Sequence, residues 1–126
     1  TAEMENLEEA LYFRQKWMIG LVDVIVPGHC FTETMNGVVR KYPQLANSSL
    51  SYLLNSGIVT HLPNLETGSL AIKLMKKYDK ISFYDAIYHA LAISKGGNFL
   101  TADEKYFNSV KKEGHICLLK DVHKLF

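Results

Sequence analysis

The sequence predicts an α/β fold, in which a mainly parallel β-sheet is flanked by helices in three layers. Helix-like and strand-like segments alternate along the chain, and short turns separate them. The composition is that of a folded globular domain, since 48% of the residues are hydrophobic and the formal net charge is +1. With 126 residues, the chain is long enough for a single domain over residues 1–126 and too short for two.

In the first half of the chain, the two patterns alternate between turn residues. Leu7 and Leu11 stand one helical turn apart with charged residues between them, which predicts an amphipathic helix. A Pro-Gly pair stops the apolar run that follows, and Pro43 ends the next helix. Asn47 or Ser48 is expected to cap a third helix. The predicted elements are helix 5–21, strand 23–28, helix 31–42, helix 47–55 and strand 58–63.

In the second half, an amphipathic helix comes before a helix that is almost wholly apolar. Gly96 and Gly97 turn the chain from that apolar helix into the strand NFLTA. Gly114 ends the last long helix before the strand HICLL. The predicted elements are helix 66–79, helix 83–95, strand 98–102, helix 103–114, strand 115–119 and a short helical tail over 121–126.

Three acidic residues stand near helix starts beside predicted strands. Asp103 follows the strand NFLTA, Glu33 lies in the first turns of the helix after the first strand, and Asp85 begins helix 83–95. Ligands of open α/β sheets sit at the carboxyl ends of the strands, so this fold would point all three acids at one edge. Each also has an ordinary interpretation. Asp85 follows Ser82 in a capping-box pattern, Asp103 suits a helix cap, and Glu33 suits a surface position.

Taken together, the three acids predict a metal site. Gathered carboxylates repel one another and raise each other's pKa unless a cation holds them. A hard divalent ion such as Mg²⁺ or Mn²⁺ prefers a set of oxygen ligands. Such an ion can polarise a phosphodiester and activate a water for in-line attack. The residues alone therefore favour metal-assisted hydrolysis of a phosphodiester.

Three segments of the chain resemble one known family, the PIN domain. S-F-Y-D-A-I-Y-H-A-L-A and F-L-T-A-D-E-K-Y-F are similar to its second half. V-P-G-H-C-F-T-E-T-M-N-G-V-V-R-K is similar to the helix after its second strand, where E-x-x-N recurs. The segments come in the family's order, and the resemblance covers almost the whole chain. Within the family, the sequence resembles the VapC-type toxin ribonucleases.

The resemblance implies a PIN-like three-layer fold and an endoribonuclease that hydrolyses RNA phosphodiesters with Mg²⁺ or Mn²⁺. It also implies the toxin of a toxin–antitoxin pair, which an antitoxin protein holds and which forms a homodimer. The residues that it makes both catalytic and metal-binding are Glu33, Asp85 and Asp103. The residues to which it gives supporting roles are Asn36, Thr101 and Glu104.

One feature of the family does not occur in this sequence. The family opens with a central strand that carries its first acidic residue, in a segment like V-x-D-x-S/N, whereas this chain begins with TAEMENLEEA. Removal of a central strand leaves unpaired backbone groups, which is unfavourable. We therefore expect an N-terminal segment with a fourth acid before Thr1.

Several basic and polar residues outside the acids have two interpretations. Arg40 and Lys41 lie about 10 Å along their helix from Glu33, by helix rise. They are candidate contacts for RNA phosphates, or else a solvated helix end. A second basic cluster within residues 76–80 is interpreted as a solvent-facing surface, and His89 as a hydrogen-bonded structural histidine.

The cysteines and the hydropathy bear on location. Cys30 and Cys117 lack a CxxC spacing and sit beside apolar residues, which indicates buried thiols in a reducing compartment, the cytoplasm. No apolar run approaches the roughly 20 residues of a transmembrane helix, so no membrane partner is expected. A net charge of +1 argues against a strongly basic nucleic-acid-coating protein, and leaves a local RNA-binding patch open.

Two other functions stay open. A PIN-like domain without catalysis would serve as an RNA-binding or scaffold module, and the missing first acid favours it. A phosphoacceptor receiver domain also gathers acids around Mg²⁺ and needs a lysine after its last strand, which Lys120 supplies. Asp23, however, begins its strand instead of ending it, so no aspartate is well placed to accept a phosphoryl group.

Overall fold

The computed structural model describes residues 6–126 and divides the chain into two compact units. Unit one consists of Thr1–Asp23 and Asn64–Phe126, and unit two consists of Val24–Pro63. Within residues 6–126, no helix has both the length and the apolar character needed to cross a membrane. A single domain over the whole chain stays a prediction.

Helices dominate the part of the chain that the structure describes. The α-helices are α1 (Leu7–Met18), α2 (His29–Lys41), α3 (Ala46–Leu54), α4 (Leu65–Lys77), α5 (Phe83–Lys95) and α6 (Glu104–Val110). The strands are β1 (Ile25–Pro27), β2 (Val59–His61), β3 (Phe99–Thr101) and β4 (Ile116–Leu118). Short 3₁₀ helices span Pro43–Leu45, Lys111–Glu113 and Leu119–Leu125. Helices and short parallel strands together fit the predicted α/β class.

The strands pair in parallel, as predicted, but they form two small sheets instead of one. In unit two, β1 pairs with β2, and Ile25 lies opposite Val59. In unit one, β3 pairs with β4, and Phe99 lies opposite Ile116. The prediction of one continuous sheet was wrong for the described residues, because each strand has three residues and one hydrogen-bonded neighbour. The three-layer arrangement stays a prediction.

The helix ends show where local pattern and structure differ. The third helix begins at Ala46 and not at a cap on Asn47 or Ser48, because a 3₁₀ helix that starts at Pro43 runs directly into it. Ser48 instead donates its hydroxyl to the Leu45 carbonyl, at 3.0 Å. The cap that the sequence analysis missed is Asn64, whose side chain accepts a hydrogen bond from the backbone N–H of Thr67 in a capping box.

The core of unit one forms where α4 packs against α5. Ala71 and Leu74 of α4 meet Ala86, Ile87 and Ala90 of α5. The three alanines are fully buried, and their small side chains let the two helix backbones approach closely. Burial of each larger side chain stabilises the fold by roughly 1.5–3 kcal/mol. The apolar run D-A-I-Y-H-A-L-A therefore forms the centre of this unit.

Two local features add to the structure of unit one: the contact of α1 with the last 3₁₀ helix, and the glycine that ends α5. Helix α1 packs against the C-terminal 3₁₀ helix, and the rings of Tyr12 and Phe126 meet edge to face at 6.0 Å. The predicted helical tail is thus confirmed as a 3₁₀ helix. Helix α5 stops at Gly96, whose φ of 69° lies in the left-handed region that glycine adopts without strain.

His89 is a buried polar residue in the centre of α5, with no exposed surface. Its Nε2 lies 2.7 Å from the Gly114 carbonyl oxygen, and its Nδ1 lies 3.2 Å from the Tyr106 hydroxyl. Because a carbonyl can only accept, Nε2 carries the proton and Nδ1 accepts from Tyr106. Both ring nitrogens are therefore satisfied in the neutral form, which confirms the interpretation of His89 as a structural histidine.

Burial lowers the pKa of His89, against a smaller opposing effect of the Gly114 carbonyl and the Glu113 carboxylate. Below about pH 6.5 the unfolded chain protonates this histidine while the folded protein does not. The associated stability is present above that pH and is lost as the pH falls towards the lower folded pKa. We expect the melting temperature to fall between pH 7.5 and pH 5.5, as measured by circular dichroism.

The matched comparison for this prediction is a His89→Gln variant. It should be less stable than the natural protein at pH 7.5, but it should lose less melting temperature on acidification. The contributions of the other titrating groups cancel in this comparison. An equal loss in both proteins would show that His89 is not the group responsible.

Candidate functional site

Asp103 is fixed at the junction between β3 and α6. It is the N-cap of α6, and its Oδ1 accepts a hydrogen bond from the backbone N–H of Tyr106 at 3.0 Å. Its own backbone N–H donates to the Thr101 Oγ1 at 3.1 Å. The predicted capping role of Asp103 is confirmed, and Thr101 supports the same turn. The second carboxylate oxygen, Oδ2, takes no part in the cap, and Asp103 is exposed.

Asp85 lies in the first turn of α5 and is held by Ser82. The Ser82 hydroxyl is the helix cap: it accepts from the backbone N–H of Asp85 at 3.2 Å. The same hydroxyl donates to the Asp85 Oδ2, also at 3.2 Å. The pattern S-x-x-D therefore does form a cap, in which the serine caps the helix and the carboxylate is oriented by the serine hydroxyl.

The two aspartates line one cavity of about 290 Å³ in unit one. It lies where the turn between α4 and α5 meets the start of α6, so that turn, the first turn of α5 and helix α6 all contribute to it. Its lining residues are Asp79, Lys80, Ile81, Asp85, Asp103, Lys105, Tyr106 and Ser109. The sequence analysis placed Asp85 and Asp103 together, and the structure places them together in this cavity.

Two lysines of the cavity were not predicted to belong to a site. Lys80 was assigned to a solvent-facing cluster, and Lys105 was not singled out. Both are exposed, and neither forms an ion pair with a carboxylate among residues 6–126. Lys80 stands in the turn before α5 with a φ of 67°, in the left-handed region that non-glycine residues seldom adopt. The sequence signal that could have assigned Lys80 to the site was its position two residues before Ser82, the cap of α5. The geometry of the turn is what brings Lys80 to the cavity.

Tyr106 forms part of the cavity wall and is otherwise buried, at 4% exposure. Burial raises the pKa of its hydroxyl, and the negative charge of Asp85 raises it further. The hydroxyl is therefore protonated at neutral pH and serves as the hydrogen-bond donor to His89. Tyr106 and Asp85 also line the same cavity.

Glu33 and Asn36 lie on α2, in unit two. Glu33 is 55% exposed, and its Oε1 lies 3.9 Å from the Nε2 of His29. The Asn36 Oδ1 accepts a hydrogen bond from the Arg40 Nε at 3.2 Å. Lys41 ends the helix and is exposed. The meeting of Glu33 with the two aspartates of unit one stays a prediction.

Glu104, the remaining predicted supporting residue, is next to Asp103 but makes a different contact. Its Oε1 lies 2.8 Å from the Lys120 Nζ, and both side chains are more than half exposed. An exposed ion pair of this kind contributes little to stability. Glu104 is not among the residues that line the cavity, although its neighbours Asp103 and Lys105 are.

The cavity suits a hard divalent cation by the chemistry of its ligands. Asp85 and Asp103 offer carboxylate oxygens, and Mg²⁺ is commonly bound through one or two carboxylates with waters and substrate phosphates completing its shell. No group of three or more His, Cys, Asp or Glu side chains that could hold a metal ion occurs within residues 6–126. Asp79 lines the same cavity, but it does not complete such a group with Asp85 and Asp103. A third ligand therefore stays a prediction.

Unit two contains a groove of about 450 Å³ between α2 and α3. Apolar side chains, hydroxyls and one phenol line it, and no carboxylate does. Its lining residues are Thr34, Val38, Leu45, Ser48, Ser49, Tyr52 and Leu53. The groove is larger than the cavity of unit one, but it lacks the ligands for a metal ion and contains none of the predicted site residues.

Comparison with known proteins identifies one family. The family model of the PIN domain matches residues 3–113, which is most of the chain. No curated protein and no solved structure matches the chain in the corresponding searches.

The Asp103 cap gives a prediction that separates stability from chemistry. Asp103→Ala removes the acceptor for the Tyr106 N–H, and we expect it to lower the free energy of unfolding by about 1 kcal/mol. Asp103→Asn keeps an acceptor oxygen and should lose clearly less. Urea denaturation followed by circular dichroism measures both. Equal losses in the two variants would mean that the carboxylate's charge, and not the cap, stabilises α6.

Proposed function

The chain belongs to the PIN domain family, and from that membership we propose that it is a metal-dependent endoribonuclease and the toxin of a toxin–antitoxin pair. PIN domains are generally nucleases, and they commonly bind RNA. The observation that carries the proposal is that Asp85 and Asp103 line one cavity together with two lysines. Carboxylates for a cation beside ammonium groups for phosphate are what phosphodiester hydrolysis requires.

In this proposal Asp85 and Asp103 hold Mg²⁺ or Mn²⁺, and Glu33 completes the set. When bound, the ion would polarise the phosphodiester and lower the pKa of an attacking water. The chain's own residues orient the ligands. Ser82 donates to the Asp85 carboxylate, and the Tyr106 N–H donates to that of Asp103. These hydrogen bonds orient each carboxylate.

The substrate would be held by positive charge that lines the same cavity as these acids. Lys80 and Lys105 line the cavity, where their ammonium groups can meet the phosphates that flank the bond to be cut. Arg40 and Lys41, at the exposed end of α2, are proposed as further contacts to the RNA backbone. Thr101 supports Asp103 through a hydrogen bond. Asn36 and Glu104 keep the supporting roles that the resemblance implies.

The proposed partners are an antitoxin protein and a second copy of the chain. The feature that supports a protein partner is the exposed apolar surface of α1, where Leu7, Leu11 and Met18 are 42%, 53% and 67% exposed. Cys117 is buried, as predicted, whereas Cys30 is only half-buried. Both are free thiols, and the cytoplasmic location stays part of the proposal.

A second candidate is a PIN domain that binds RNA without cutting it. The absence of a three-ligand metal group within residues 6–126 favours this alternative. In this alternative, the lysines of the cavity bind RNA phosphates, and the phosphodiester bond is not hydrolysed. A cleavage assay separates the two candidates directly.

Cleavage of labelled RNA by the purified protein tests the proposed activity. We expect cutting with Mn²⁺ or Mg²⁺, none with EDTA, and a loss of at least about 100-fold in Asp103→Asn and in Asp85→Asn, because each removes a charged ligand. Asp121→Asn changes a carboxylate outside the cavity and should cut normally. RNA binding without cleavage under any metal, by folded protein, would favour the non-catalytic candidate.

The lysines give an independent test of the substrate site. In an Asp103→Asn background, which prevents cleavage, Lys105→Ala and Lys80→Ala should weaken binding to single-stranded RNA. Each should also reduce the slope of log affinity against log salt by about 0.7, the value for one lost phosphate contact on a single strand. Fluorescence anisotropy at several salt concentrations measures both.

The matched control for this test is Lys111→Ala, which removes an exposed lysine outside the cavity. It should leave the slope unchanged. A Lys105→Ala slope equal to that of the control would show that the cavity does not contact the RNA backbone.

A further inference from the structure

The hydrogen bond between His89 and Tyr106 joins the two elements that carry the cavity's aspartates. His89 stands four residues after Asp85 on α5, so the two lie on the same side of the helix, one turn apart. Tyr106 stands three residues after Asp103 on α6, and its backbone N–H holds the Asp103 carboxylate. A single contact of 3.2 Å therefore links the helix of one acid to the helix cap of the other.

Aromatic packing fixes the Tyr106 ring in place. The ring meets His89 edge to face at 5.9 Å and Phe99 edge to face at 5.8 Å. Phe99, on β3, in turn stacks against Tyr88 of α5 at 5.2 Å. Tyr106 thus packs between His89 of α5 and Phe99 of β3, and its hydroxyl bonds His89.

A polar pair at this depth needs an explanation beyond packing. Burial of a hydroxyl and an imidazole is unfavourable unless every polar atom is paired, and two apolar side chains would fill the same space without that penalty. Here all the polar atoms are paired: His89 bonds both Gly114 and Tyr106. A fully paired buried network allows one relative placement of the elements that it joins, whereas an apolar contact tolerates small shifts.

We propose that His89 and Tyr106 are positioning residues that set the separation of the Asp85 and Asp103 carboxylates for binding of a divalent cation. They act through the helix and the cap, and they need no contact with the metal or the RNA. The proposal rests on the proposed function, since it assigns the two aspartates to a metal site. Loss of a group that hydrogen-bonds a metal ligand directly typically weakens metal binding tenfold or more. The side chains of His89 and Tyr106 act one contact further out, so about tenfold is the upper end of the expected effect.

The test variant is Tyr106→Phe, which removes one hydroxyl and keeps the ring. Its matched control is Tyr78→Phe, which removes a hydroxyl that donates to Glu113 at 2.8 Å in the same unit. Thermal melting shows whether the two variants lose similar stability. Binding of Mn²⁺ alone, followed by electron paramagnetic resonance without RNA, reports on the metal ligands. Hydrogen exchange of the residue 106 amide reports on its bond to Asp103, independently of any metal.

We expect Tyr106→Phe to bind Mn²⁺ more weakly than the natural protein, by up to about tenfold, and to exchange the residue 106 amide faster. Tyr78→Phe should change neither quantity. If His89 and Tyr106 act as one unit, the double variant His89→Gln with Tyr106→Phe should bind Mn²⁺ no more weakly than the weaker single variant.

Two results would overturn the proposal while leaving the nuclease intact. One is natural Mn²⁺ affinity and natural amide exchange in Tyr106→Phe, and the other is an equal change in Tyr78→Phe. If the natural protein neither binds Mn²⁺ nor cuts RNA, the proposed function fails. Amide exchange then decides the positioning of Asp103 alone: faster exchange in Tyr106→Phe supports it, and unchanged exchange overturns it.

Discussion

The close packing of α5 on α4 is the constraint on which unit one depends. Ala71, Ala86 and Ala90 are wholly buried at this contact, so larger side chains there would force the helices apart. The face of α5 that packs on α4 carries the apolar residues, and the start of the helix carries Asp85. The position of Asp85 therefore depends on the packing of this helix, while the Ser82 hydroxyl orients its carboxylate.

The candidate site is built from helix starts, and this explains why its acids have two roles. Asp103 caps α6 with one oxygen, and Asp85 accepts from the Ser82 hydroxyl that caps α5. A capping carboxylate is already oriented and charged, and it retains lone pairs for another partner. The structural and functional interpretations of these residues are thus compatible, because the same hydrogen bonds that hold the helix also fix the ligand.

Unit two is held together mainly by its helices. Its two strands have three residues each, and the helices α2 and α3 with the 3₁₀ helix between them supply most of its packing. Pro43 accounts for the irregular connection, since it cannot continue α2 and it begins the next turn instead. Local residue types therefore determine the elements of this unit, and Glu33 and Asn36 take their positions from the regular helix between Gly28 and Tyr42.

Residue order by itself predicted most of the elements and the parallel strand pairing, and it singled out the two aspartates that line the cavity, because apolar spacing, turn residues and S-x-x-D are local signals. It gave α5 the bounds that the structure has, and it identified the Asp103 cap. Only the tertiary structure decided that Lys80 and Lys105 share the cavity, that Tyr106 meets His89 and that the strands divide into two sheets. These contacts join residues that are at least 17 positions apart in the chain. They depend on how helices and strands pack in three dimensions, which no local sequence pattern encodes.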